Sequence, residues 1–321
     1  MTFLRDWSAT TGNRPVRLKL NRMVRLSAIL GSGALLLGLA LAEPGVTESH
    51  GTPLEQLASS DTHSARNWQA FWRHHLGDWR GRWTRYSPSG QVKETFASSR
   101  LFTANPSQTK VVQTNRYRYA DGRSIRRQWT YNIEEHSQPD GFAHPASKFM
   151  RGLALDNGSA AWLIPTLRPS QLSPFEFFLK HGEIRHSVGV LYGKNGELLR
   201  TASIREKRGP HPSKNWSDTV IQVEAWNPGG RWKGEKRQIL PDLSRVPLQR
   251  SEWQWKKQNQ SNHFFPDGII LRCPERILPG QPFSIRVIWL VDEGELQTIT
   301  AQYNSDAVLA AVTHQQLSRE D

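Results

Sequence analysis

Asn67-Trp68-Gln69-Ala70-Phe71-Trp72, followed by Leu76-Gly77-Asp78-Trp79-Arg80-Gly81-Arg82-Trp83 and running on to Tyr131, is the stretch whose reading decides the fold. Its first part has helical spacing of apolar residues and predicts a short amphipathic helix over 65–76. From Trp79 onward the period changes to two, the signature of half-buried strands. Turn signals punctuate the strands at Ser87-Pro88-Ser89-Gly90, Asn105-Pro106-Ser107 and Asp121-Gly122. A helix feeding a tryptophan-led up-and-down meander predicts an all-β antiparallel barrel with its closed end plugged by Trp79. Barrels of this size commonly enclose one small ligand.

The same period continues to the C-terminus. Strands are expected at 79–86, 92–102, 109–119, 123–133, 149–155, 159–164, 175–181, 184–192 and 197–206. A second group follows at 218–226, 230–239, 249–257, 267–272, 282–291, 296–304 and 307–313. That is more than one small barrel needs. An internal echo offers a reason: Trp79-Arg80-Gly81 returns as Trp232-Lys233-Gly234, and Pro139-Asp140-Gly141 as Pro266-Asp267-Gly268. Two barrel-like units are therefore expected, 67–209 and 210–321, joined near Gly209-Pro210-His211-Pro212-Ser213. One enlarged barrel with a long insertion is the alternative.

Several of these strings resemble the DUF3598 family, lipocalin-like (calycin) proteins of cyanobacteria and plastids whose function is not established. The resemblance is carried by Trp79–Pro88, by Thr114-Asn115-Arg116-Tyr117-Arg118-Tyr119-Ala120-Asp121-Gly122-Arg123 and by Pro139-Asp140-Gly141-Phe142-Ala143-His144-Pro145. Ile184-Arg185-His186-Ser187-Val188, Ile204-Arg205-Glu206 and Phe265-Pro266-Asp267-Gly268-Ile269 extend it. It spans about Asn67 to Tyr303 and implies a calycin barrel and a photosynthetic lineage, without implying an activity.

Composition narrows the classes. The chain has 321 residues, a formal charge of +13, 13 tryptophans and one cysteine. A single cysteine, Cys273, excludes an intramolecular disulfide and a cysteine-based metal cluster, and its place beside Pro274 suits a buried structural thiol. Residues 1–42 hold Arg5, Arg14, Arg17, Lys19, Arg22 and Arg25 against Asp6, so +5 belongs to this leader and +8 to the rest. The remainder is spread over strands and turns and lacks the dense basic block of a nucleic-acid tail, so nucleic acid is not an expected partner. Leu26–Ala42 is an apolar run ending in Ala40-Leu41-Ala42. The layout reads as a signal peptide over 1–42, or as a membrane tether through 26–42. It implies export (periplasm or thylakoid lumen) or membrane anchoring, and cytoplasmic residence if the leader does not function. Residues 43–66 read as a flexible linker.

Strand parity selects candidate ligand-binding residues. Over 123–133, Ile125, Arg127, Trp129, Tyr131 and Ile133 share a face. Over 184–192 the apolar set is Ile184, His186, Val188, Val190 and Tyr192. Over 109–119, Tyr117 and Tyr119 are placed inside. An apolar pocket with a few polar groups is what small-molecule sites look like. Tyr117, Tyr119, Trp129 and Tyr131 supply an aromatic wall, and His186 with Arg127 or Arg116 meets a carboxylate or carbonyl. The competing reading is that the rings fill the barrel and His186 is a core residue with its hydrogen bonds satisfied.

Sharper chemistry is absent. No Walker lysine loop, dinucleotide fingerprint or H-E-x-x-H occurs, and no cofactor is implied. Asp140 and His144 form a possible acid–base pair at a barrel mouth, although an Asp-Gly turn with a proline exit accounts for both. The leading expectation is a carrier of a small hydrophobic molecule, pigment-like or isoprenoid, inside a calycin barrel. One alternative is a bilin or tetrapyrrole lyase-like chaperone using Arg116, Arg127 and Glu183. The other is an assembly or scaffold factor with a filled barrel.

Overall fold

The computed structural model describes residues 53–210, 214–256 and 260–320. Helix α1 (Pro53–His75) leads in, reaching back into the stretch read as linker. Trp68, Phe71, Trp72 and His75, spaced as one helical stripe, are all buried. The Asn67 side chain fixes the angle at which the helix lands: its amide donates to Gly152 O at 2.9 Å and its carbonyl accepts from Ala154 N at 2.8 Å. The signal-peptide and membrane-tether segments lie outside the described residues. No helix among the described residues is long and apolar enough to cross a membrane.

The first sheet contains β1 (Gly77–Tyr86), β2 (Val92–Ala104), β3 (Lys110–Tyr119), β4 (Ser124–Asn132), β5 (Ser137–Gln138), β6 (Gly141–His144), β7 (Ser147–Ala154), β8 (Ala160–Leu163), β9 (Ser173–His181), β10 (Ile184–Tyr192) and β11 (Leu198–Arg208), with a single helical turn, α2 (Ile133–His136), after β4. Its order is β4-β3-β2-β1-β11-β10-β9-β8-β7-β6-β5, every pair antiparallel. The sheet nearly closes on itself. Trp129 and Tyr131 of β4 meet His144 and Phe142 of β6, at 5.4 and 6.2 Å between ring centroids.

The second sheet contains β12 (Arg231–Ile239), β13 (Arg245–Gln254), β14 (Ser261–Phe265), β15 (Ile269–Cys273), β16 (Phe283–Leu290), β17 (Glu295–Tyr303) and β18 (Leu309–Glu320). Its order is β13-β12-β18-β17-β16-β15-β14. In both sheets the first strand pairs with the second and with the last. The echoed glycines occupy that junction. A Cβ on Gly81 would fall 1.8 Å from Arg205 O of β11, and one on Gly234 2.1 Å from Gln316 O of β18. The second echo marks matching hairpins, β5–β6 and β14–β15, with positive φ at Gly141, Asp267 and Gly268.

One apolar core lies between the sheets. Phe175, Phe177, Leu179, Val188, Val190 and Tyr192 of the first pack with Ile269, Leu271, Ile285, Val287, Trp289 and Ile299 of the second. Tyr192 Oη donates to Pro274 O and Tyr303 Oη to Ile164 O, each at 2.8 Å, and Arg205 pairs with Asp267. Cys273 is buried here, and loss of water pushes its thiol up to about 12.

Two segments differ from the sequence reading. Residues 218–226 form no strand. They are held by single bonds instead of a ladder, Tyr86 Oη donating to Val220 O (2.7 Å) and Val223 N to Phe264 O of the edge strand β14 (2.9 Å). Conversely, the loop expected at 139–145 contains the turn and second strand of the β5–β6 hairpin, and β14 lies where no strand is expected. Both are too short for an alternation pattern to register.

Candidate functional site

The barrel interior is filled, and charge fills its centre. Arg100 of β2 donates from Nε and Nη2 to the two oxygens of Glu206 on β11, both at 2.6 Å, from Nη1 to Glu176 Oε1 at 2.8 Å and from Nη2 to Ser187 Oγ at 2.9 Å. Arg185 of β10 grips Glu206 from the other side, through Nε (2.9 Å) and Nη2 (2.7 Å), while its Nη1 donates to His75 Nδ1 at 2.8 Å. His75 Nε2 is 3.1 Å from Gly158 O, so Nε2 carries the hydrogen and Nδ1 accepts. Burial, followed by the Arg185 charge, holds His75 well below its ordinary value and keeps it neutral. Burial works against the Glu206 charge, yet Arg100 and Arg185 overcome it and hold the carboxyl below its usual range. Aromatic faces cover the guanidiniums: Arg185 sits 4.2 Å above Trp79, and Arg100 lies 5.6 Å from Trp83.

Around this cluster the rings close in. Trp68, Phe71 and Trp72 of α1 meet Phe102, Tyr131, Phe142 and Trp162 at one end, and Trp83, Phe96, Tyr117 and Tyr119 pack together at the other. A chain of hydrogen bonds runs from Tyr131 Oη to Gln113 (2.7 Å), Gln113 to Asn115 (3.0 Å) and Asn115 to Tyr117 Oη (2.8 Å). What remains is a void of about 30 Å³ lined by Arg100, Gln113, Asn115, Tyr117, His144 and Glu176, among others. That is room for about one water molecule.

The large cavity is outside. Pro210 and Trp216–Asp218, after β11, stand beside the outer face of β1–β4 and make one wall of a groove of about 810 Å³. Arg80, Arg82, Ala97, Ser99, Arg116, Arg118, Ser124 and Arg126 line its sheet side, and Pro210, Trp216, Ser217 and Asp218 the other. Arg205 anchors the wall, donating to Ser217 O (2.9 Å) and Thr219 O (2.7 Å), and Arg82 donates to Asp218 O (2.9 Å).

Residues 64–211 match the model described as domain of unknown function (DUF3598), N-terminal. This stretch of the chain is similar to the DUF3598 N-terminal domain. A protein of unknown function from the DUF3598 family of Nostoc punctiforme has a similar solved structure, with a TM-score of 0.61 at 18% identity over 79% of this chain and 99% of that one. The shared fold therefore extends past residues 64–211 into the second sheet. An S-type phycobiliprotein lyase from Guillardia theta aligns at 12% identity over 48% of this chain and 98% of its own, with a TM-score of 0.33, too low to carry an argument. No curated protein matches.

The barrel separates the residues that strand parity groups. Tyr117, Tyr119, Trp129, Tyr131 and Arg127 do share the barrel interior, on alternate positions of β3 and β4. His186 does not join them. Its strand is buried on both faces, and His186 lies on the face toward the second sheet, Nε2 at 2.8 Å from Ser203 Oγ and its ring 5.5 Å from that of Trp216. Burial, then Arg205, holds it neutral. Arg116 is on the outer face and lines the groove. Glu183, at the β9–β10 turn, pairs with Arg208 at 3.4 Å, so Arg116, Arg127 and Glu183 do not converge. Asp140 and His144 part as well. Asp140 accepts from Arg151 Nε at 2.6 Å, while His144 turns inward against Trp129, Tyr131 and Trp162, its pKa lowered to about 3 by burial.

Sequence reasoning missed the central Arg100, Glu176, Arg185 and Glu206. Their signal was present: Arg100 shares parity with Phe96 and Phe102, Glu176 with Phe178, and Glu206 with Ala202 and Ile204.

Proposed function

We propose that this chain is a carrier or scavenger of a small molecule, and that the molecule is held in the outer groove rather than in the barrel. One observation carries the reading: about 810 Å³ is open in the groove and about 30 Å³ in the barrel. Sites for drug-sized molecules run to roughly 300–1,000 Å³. The apolar part of such a ligand, of the pigment-like or isoprenoid kind expected from sequence, would meet Trp216, Pro210 and Ala97. A tetrapyrrole lyase-like role draws no support from Arg116, Arg127 and Glu183, which lie apart, in the outer groove, in the barrel interior and at the β9–β10 turn.

The packed interior favours a second reading, an assembly or scaffold factor that holds no small molecule. Native mass spectrometry of the protein purified from the cells that make it separates the two. The carrier reading predicts added mass that is lost on Ala97→Trp, a substitution that fills the groove floor. Bare protein mass in wild type and variant alike contradicts it.

A further inference from the structure

The groove concentrates more positive charge than its own neighbours neutralise, and the ladder shows how. Ser99 of β2 lies opposite both Arg80 of β1 and Arg116 of β3, and Arg116 lies opposite Arg126 of β4. Two residues along, Ala97 lies opposite Arg82 and Arg118, and Arg118 opposite Ser124. Two parallel rows therefore cross four strands on one face, with long basic side chains flanking a floor of Ser99 and Ala97. Like charges directly opposite in an antiparallel ladder repel one another, and Arg116 with Arg126 is such a pair. Asp78 takes Arg80 at 2.7 Å, Asp218 takes Arg82 at 3.2 Å, and Gln128 accepts from Arg126 Nη2 at 2.6 Å. Among the described residues the Arg116 and Arg118 side chains have neither an ion pair nor a hydrogen bond, while each lines the groove.

A solvated basic face would account for scattered arginines. It does not account for a repelling pair facing a recess with a floor of small residues and a tryptophan wall. Trp216 is fixed in that wall, its Nε1 donating to Glu206 O at 3.1 Å and its ring 5.9 Å from that of Trp289.

We propose that the groove selects an amphiphilic dianion: a small molecule carrying two carboxylate or phosphate groups on an apolar body. This rests on reading the groove as the binding site. A guanidinium fork matches either group with two parallel hydrogen bonds. Arg116 with Arg126 holds one group. Arg118 with Arg82 holds the second, two residues along the strand and therefore roughly 7 Å away. The body lies over Ala97 against Trp216 and Pro210. A flat bilayer is the poorer fit, because these arginines line a recess beside a wall of chain.

The test uses two fluorescent probes of similar apolar character. Bis-anilinonaphthalene sulfonate carries two sulfonates that stand in for the ligand's anionic groups, and N-phenyl-1-naphthylamine carries none. The proposal predicts saturable binding of the first to the wild-type protein and a Kd at least tenfold higher in the exposed double variant Arg116→Ser/Arg118→Ser. The neutral probe should change less than twofold, and Arg168→Ser/Arg276→Ser, on a different surface, should bind both probes as wild type does. Inorganic pyrophosphate should displace the dianion. Phosphatidylglycerol vesicles should sediment no more protein than phosphatidylcholine vesicles, and sedimentation that depends on Arg116 and Arg118 would overturn the small-molecule assignment in favour of a lipid surface. Equal binding of the dianion by wild type and the Arg116/Arg118 variant overturns the charge selectivity while leaving the groove as a site. Failure of both probes to bind, or binding unchanged by Ala97→Trp, overturns the site itself.

Discussion

Arg100 and Glu206, 106 positions apart in sequence, form a side-on pair across the barrel interior, Nε to Oε1 and Nη2 to Oε2, both at 2.6 Å. Gly81 of β1 stands between their strands, opposite Ser98 on one side and Glu206 on the other, and contributes no side chain to obstruct the reach. A barrel whose centre is held this way has no space for a ligand unless the pair is broken.

Breaking it should be costly. Glu206→Leu leaves the guanidiniums of Arg100 and Arg185 facing each other without a shared carboxylate. Removing one partner of a buried ion pair costs about 3–5 kcal/mol. Urea denaturation of the variant should show a loss of that order, and a loss below about 1 kcal/mol would mean that the pair is hydrated and the interior open.

Acid should unfold the protein earlier than its carboxylates alone require. His75, His144, His186 and His314 are all buried with lowered pKa values, His144 and His314 to about 3, with burial the leading cause in each. In the unfolded chain they take up protons near pH 6.5, whereas in the fold they do not. Stability is therefore full above about 6.5 and falls as the pH drops toward the folded values, by up to about 1.4 kcal/mol per pH unit for each histidine. Denaturation midpoints measured from pH 7 to 4 should decline steadily. A flat profile down to pH 5 would show that these side chains are already protonated in the fold.

The junction glycines should tolerate no side chain. Gly81→Ala and Gly234→Ala each drive a methyl group into the backbone carbonyl of the neighbouring strand. Overpacking of this kind costs about 1–3 kcal/mol, more where backbone is the obstacle. Both variants should melt well below wild type, while Gly122→Ala, with open space but positive φ, should cost less. Equal melting of all three would remove the argument that the two echoes do the same job.

Trp79→Ala should destabilise the protein whether or not a ligand is present. The indole is fully buried, donates from Nε1 to His75 O at 2.9 Å and lies beneath both Arg185 and Arg208. Loss of such a ring costs about 3–5 kcal/mol. Thermal melting should report it, and a shift confined to ligand-loaded protein would contradict the packing role.

Much of this architecture is legible in the residues. The turns at Ser87–Gly90 and Asp121-Gly122, the face shared by Ile125, Arg127, Trp129 and Tyr131, and the echoed Trp-x-Gly strands all follow from period and turn chemistry. Parity fails for β10 because every residue of that strand is buried. When both faces are covered, alternation no longer says which one looks into the barrel, and the apolar set with His186 was assigned to the wrong side. The central arginines and glutamates escaped notice because charged side chains are seldom fully buried unless paired, and their partners come from distant strands. The groove escaped because one of its walls, Pro210 and Trp216–Asp218, belongs to no strand.

The most direct measurement of where this protein binds is a crystal structure grown with bis-anilinonaphthalene sulfonate. The account predicts probe density over Ala97 and Ser99, sulfonates at Arg116–Arg126 and Arg118–Arg82, and the Arg100–Glu206 pair intact. Density inside the barrel, with Trp83 or Tyr117 swung aside and that pair broken, would contradict it.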